Sequence, residues 1–176
     1  MQVSRPLPLL LAAVVVLAQA CQKDDDIGEV TAGVAQPEYP GVSEKLWPYF
    51  TAYELAAAER GVDIDLAELG VVARLRDITE EGVAGECTFN PETPNVMTVD
   101  AEVFGVVSER FREYIVFHEL GHCERLRAHR EDADEEGICV SIMASGTGEC
   151  SDSYTAATRE ELLDELFDEQ FYGEWP

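Results

Sequence analysis

Positive charge is scarce in this chain. Twelve lysines and arginines stand against 36 aspartates and glutamates, for a formal net charge of −24. Phosphate backbones are held by basic faces, so nucleic acid is excluded as a partner, and unaided docking to anionic lipid is disfavoured for the same reason. Like charge spread over a surface keeps a protein solvated and resists association, and the chain is expected to act as a monomer. Histidine is rarer still: there are three, and all fall between positions 118 and 129. No internal repeat is visible. What is present is apolar bulk, 46% of 176 residues, enough for one domain with a real core and too little for two large ones.

The longest apolar run, Leu7 to Ala18, is broken only by Pro8 and follows the single positive residue Arg5. It is too short and too poorly flanked to span a membrane, and Ala18-Gln19-Ala20 ends it in small residues. Residues 1–20 are therefore expected to be a secretory signal. Cys21 follows at once, in the manner of a bacterial lipoprotein signal, in which that cysteine is lipidated and becomes the mature N-terminus. Parity agrees: of the five cysteines, Cys21 aside, Cys87, Cys123, Cys139 and Cys150 make an even set suited to two disulfides in an exported protein. The expected location is outside the cytoplasm, anchored by lipid on Cys21 to a membrane facing periplasm or cell surface, or else secreted. Residues 21–44, with Asp24-Asp25-Asp26 and scattered glycines and prolines, read as a flexible tether, and 45–176 as the folded domain.

Within that domain, Leu46 to Arg60 has helical spacing, with Pro48 in the first turn and Gly61 as a stop. Val71 to Leu75 and Asn95 to Asp100 read as strands, and Cys87 to Phe89 as a short one. Ser108 suits an N-cap for a long helix. Loops follow from Glu131 to Ser153, and Thr158 to Phe171 reads as the last helix. Helix, strands, helix, loop, helix make an α+β domain, helices packed against a small mixed sheet.

The long helix carries Phe117-His118-Glu119-Leu120-Gly121-His122. Residues four apart return to one helix face, roughly 6 Å further along at about 1.5 Å per residue. Two imidazoles so placed can hold one zinc ion, with the intervening glutamate beside a zinc-activated water. Catalytic zinc takes three protein ligands and keeps one position open, and His129 is the natural third. The helix must then end after His122 so that His129 can swing back. Asp132, Asp134, Glu160 and Glu161 are competing third ligands. Glu119 is the candidate general base, and Tyr154 a candidate oxyanion donor that is more simply a core tyrosine. A non-catalytic zinc-binding module at the cell surface is the alternative reading of the same residues, although a purely structural site has no use for Glu119.

His118-Glu119-Leu120-Gly121-His122, then His129, then Ser141-Ile142-Met143, resembles the metzincin metallopeptidases, whose pattern is HExxHxxGxxH followed by a methionine turn beneath the zinc. More narrowly, the stretch through Cys123 is similar to a group of small bacterial metallopeptidases, many of them lipoproteins, in which the third histidine stands one place later. The resemblance covers residues 46–171. It implies a minimal metzincin-like zincin fold, Zn2+ as cofactor held by His118, His122 and His129, Glu119 as base, Met143 as the turn methionine, and a peptide or protein substrate cut by a zinc-activated water. By the same analogy the Asn95–Asp100 strand is expected to offer a sheet edge to an extended peptide. Positions 123–128, Cys-Glu-Arg-Leu-Arg-Ala, lack the glycine with which the family turns its chain. Four cysteines allow three pairings. Cys139 with Cys150 would pin the loop around Met143, and Cys87 with Cys123 would then clamp a strand to the active helix.

Overall fold

The computed structural model describes residues 38–90, 93–146 and 148–173. The signal, Cys21 and the tether as far as residue 37 lie outside these. Residues 38–44 fall within the expected tether, but Tyr39 and Val42 are buried, and Val42 bridges Ala73. An aromatic flanked by acids and prolines gives no periodic signal. Tyr39 is held instead by Phe50, whose ring centroid lies 5.2 Å away, and by Glu54, to which its hydroxyl donates.

Helix α1 (Trp47–Glu59) buries Tyr49, Phe50, Tyr53, Ala56 and Ala57, and ends where Gly61 takes φ +77°. A short α2 (Leu66–Leu69), capped by Asp65 and closed by Gly70, leads to β1 (Val72–Arg76). Strands β2 (Gly85–Asn90) and β3 (Thr93–Asp100) form a hairpin, and β3 inserts between its neighbours to give the order β1-β3-β2. Strand β3 runs parallel to β1 and antiparallel to β2. It is therefore the centre of the sheet, and the expectation that Asn95–Asp100 offers a free edge is overturned: both of its sides are paired. The outer strands are β1, which Val42 bridges at Ala73, and β2, with which no further strand pairs among the described residues.

Asp100 ends β3 and caps α3 (Ala101–Val106), and it also accepts from the Ile78 amide. Neither α2 nor α3 is long enough to show a period in the sequence. Helix α4 (Glu109–Cys123) starts at Ser108, whose hydroxyl caps the Phe111 amide as expected. From Glu113 to Cys123 every residue is buried, so α4 is the central rod of the domain. A short α5 (Glu149–Asp152) precedes α6 (Arg159–Leu166). That last helix is shorter than Thr158–Phe171, because Asp168 restarts the chain as a single 3-10 turn, Glu169–Phe171. Tyr53, Phe117 and Phe167 join α1, α4 and the end of α6 in edge-to-face contacts. Among the described residues, six helices and a three-stranded mixed sheet are the α+β domain that the pattern predicts.

The packing of α4 on β2 rests on matched spacings. Side chains alternate on a strand, so Gly85 and Cys87 share a face, about 6.6 Å apart. Residues 119 and 123 share a helix face at about 6 Å. Cys87 is bonded to Cys123, with Cα atoms 5.7 Å apart, and Gly85 lies under Glu119. A Cβ at position 85 would come within 2.7 Å of the Glu119 carboxylate, so glycine is needed there for the glutamate to lie where it does. The second pair, Cys139–Cys150, spans the loop that carries Met143. Two such bonds fit an oxidising compartment. Among the described residues, no helix is long and apolar enough to cross a membrane.

Candidate metal centre

Tyr114, His118 and His122 recur every four residues along α4 and so share one face of it. The chain then has to reverse within a few residues to return His129. Leu126 does this by taking φ +53°, and among the described residues it alone does so without being glycine. Such a conformation costs an L-residue roughly 1–2 kcal/mol. The Arg127 amide, bonding to the Gly121 carbonyl at 2.9 Å, helps to hold the turn. The chain thus makes the bend that a glycine would make, with a strained leucine in its place.

The imidazoles meet. His122 Nε2 lies 3.1 Å from His118 Nε2 and 3.2 Å from His129 Nε2. On the other side of each α4 ring, Nδ1 donates to a backbone carbonyl, that of Ile142 for His118 at 2.8 Å and that of Arg127 for His122 at 2.7 Å. A carbonyl only accepts, so the proton of each ring sits on Nδ1 and the Nε2 lone pair faces inward. Burial, and then the neighbouring His122, push the His118 pKa down to about 3, and burial brings His122 to about 4. These rings therefore stay neutral, and close lone pairs without a proton between them repel unless a cation sits among them. Tetrahedral zinc with bonds of about 2.0–2.1 Å places its ligand atoms about 3.3 Å apart, close to the separations found. Among the described residues these three histidines are the group of His, Cys, Asp or Glu side chains able to hold a metal.

The competing third ligands are engaged elsewhere. Asp132 pairs with Arg130, Asp134 caps the amides of Glu136 and Ile138, Glu160 pairs with Arg60 and Arg159, and Glu161 is exposed. Neither Cys123 nor Cys139 offers a thiolate, since both are in disulfides. Tyr154 is buried with its hydroxyl on Glu113, which Arg159 also holds, so it serves the core as the simpler reading had it.

Glu119 lies beside the histidines in a pocket whose walls include Gly85, Glu86, Tyr114, His118, His122 and His129. One of its carboxylate oxygens is buried without a hydrogen-bond partner. Burial, with help from Glu86, pushes its pKa up to about 8. An uncompensated carboxylate is costly in such surroundings, and a metal-bound water is one species that would satisfy it.

Met143 is fully buried directly beneath α4. Gly121 makes room for it: a Cβ there would overlap Met143 Sδ and stand 3.1 Å from Leu166 Cδ1. The same turn presents the Ile142 carbonyl to His118, so the residue before Met143 sets the first imidazole. Replacing Gly121 with alanine should therefore do more than overpack the core, which by itself costs about 1–3 kcal/mol. Chemical denaturation should show that loss, and the added Met143→Ala change should cost less than it does in the parent, because the missing side chain leaves room for the new methyl.

A group with little signal in the sequence holds these loops together. Arg127 is fully buried and pairs with Glu165 at 2.5 Å while also donating to the Glu165 and Leu166 carbonyls. Glu165 further accepts from Arg130 and from Ser141, and the Arg130 amide bonds to the Met143 carbonyl. One carboxylate thus ties the His129 segment, the methionine loop and α6 to one another. An arginine amid charged neighbours looks like a solvated surface residue, and its only sequence signal is a place between two histidines. No family model matches the chain, and no curated protein and no solved structure matches it.

Proposed function

We propose that this protein is an exported zinc metallopeptidase of metzincin-like design. The observation that carries the reading is the unpartnered, buried carboxylate oxygen of Glu119 beside three inward-facing imidazoles. Bound zinc would supply a Lewis acid that acidifies a coordinated water and polarises the scissile carbonyl. Within that scheme His118, His122 and His129 hold the ion and leave one position for solvent. Glu119 takes a proton from the attacking water and delivers it to the leaving amine nitrogen. The outer edge of β2, with which no further strand pairs among the described residues and from which Gly85, Glu86 and Cys87 reach the pocket, is where an extended peptide would add its backbone as a further strand. Lipid on Cys21 would place this activity at a membrane surface.

The rival, a zinc-binding module without catalysis, calls for a fourth protein ligand, and among the described residues no cysteine, aspartate or glutamate joins the three histidines. Metal analysis of the purified protein, with a peptide-library cleavage assay before and after chelation, separates the two. One zinc per chain with cleavage that chelator abolishes and zinc restores is the expected result. Tight zinc with no cleavage of any peptide would favour the module.

A further inference from the structure

We infer that the Tyr114 hydroxyl is a substrate contact at this site, donating a hydrogen bond to the oxygen of the carbonyl under attack; the assignment rests on the peptidase reading. Two buried side-chain oxygens among the described residues have no hydrogen-bond partner, and they belong to Glu119 and Tyr114. Both residues line the same pocket, on either side of His118 in the sequence. Tyr114 stands one helical turn before His118 on the face that carries the metal ligands, with ring centroids 6.1 Å apart.

The other buried tyrosines behave differently. Tyr39 donates to Glu54, Tyr49 to Glu109, Tyr53 to Glu124 and Tyr154 to Glu113. In a protein this rich in carboxylates a buried phenol readily finds an acceptor, and Tyr114, at 3% exposure, has none. Its ring is well placed as an apolar surface, stacked on Phe111 and tilted against Tyr154. Phenylalanine would pack there as well and would spare the desolvated hydroxyl, whose burial without a partner works against stability. The hydroxyl therefore has no structural return inside the protein, and the pocket is where an acceptor can arrive. A peptide carbonyl whose oxygen gains negative charge as the carbon becomes tetrahedral is an acceptor of the right kind. The phenol keeps its proton throughout, so no bond to Tyr114 is made or broken.

The test compares the zinc-loaded wild-type protein with Tyr114→Phe, using a phosphinic dipeptide whose tetrahedral, charged oxygens stand in for the reacting carbonyl. Calorimetry should show the phosphinate bound about 100-fold more weakly by the variant, with zinc stoichiometry unchanged and a melting temperature equal or higher. For peptide cleavage, kcat/KM should fall by a similar factor, mostly through kcat. Equal phosphinate affinity in the two proteins, or no phosphinate binding by the wild type, overturns the assignment. If affinity falls in the variant while neither protein cleaves peptides, the contact to a tetrahedral oxyanion stands and the peptidase reading fails.

Discussion

Glu119→Gln is expected to lower peptide hydrolysis by about 10²- to 10⁴-fold while zinc stays bound at one per chain. Gln is nearly the same shape, and Gly85 leaves the same space beneath it. The three imidazoles and the carbonyls that orient them are untouched. What disappears is the ability to take a proton, so the loss should fall on kcat with KM little changed. Undiminished turnover in this variant would end the peptidase reading. Metal-free protein gives an independent control on folding. The Glu119 carboxyl is raised to about 8 by burial, so the folded state keeps its proton where the unfolded chain has already lost it. That contribution is fully present below the ordinary carboxylate pKa and drains away as pH rises towards 8. Gln does not titrate. The melting temperature of the metal-free variant should therefore change less between pH 5 and pH 8, roughly the window between those two pKa values, than that of the metal-free parent.

Glu165→Ala should cost up to about 3–5 kcal/mol of folding stability in denaturant titrations, because it removes the carboxylate that pairs with the fully buried Arg127 guanidinium. The two carbonyls that Arg127 also reaches are dipoles and offset only part of that charge. Zinc affinity should drop as well, by about 10- to 100-fold, the usual size when the support behind a ligand is removed. The link is specific. Arg127 offers its carbonyl to His122, and Arg130, also held by Glu165, follows His129 directly. A double replacement, Arg127→Met with Glu165→Met, should recover most of the stability, since apolar side chains of similar volume often replace a buried ion pair without loss. If Glu165→Ala proves as stable as the parent, the network is not what holds the loops.

Several sites need glycine for reasons of contact, and sequence showed them only as members of a motif or a turn. Gly121 looks like filler between Leu120 and His122, yet it is the floor under which Met143 passes. Gly85 carries no motif in the sequence, yet it is the seat of Glu119. The reverse holds at Leu126, where no glycine marks the turn that returns His129. Its turn is made at a cost the surrounding contacts offset, something residue type alone does not reveal.

By itself the sequence determined the local chemistry. Helical spacing put His118 and His122 on one face, Ser108 started their helix, and cysteine parity predicted two bonds. These follow from periodicities and side-chain chemistry that act over a few residues. Only the tertiary structure decided which strand is central, that His129 rather than Asp132 or Glu160 faces the other rings, and that Arg127 is buried on Glu165. Each of those depends on contacts between residues distant in the chain, where the closing of loops and the exclusion of water, rather than local spacing, set the outcome.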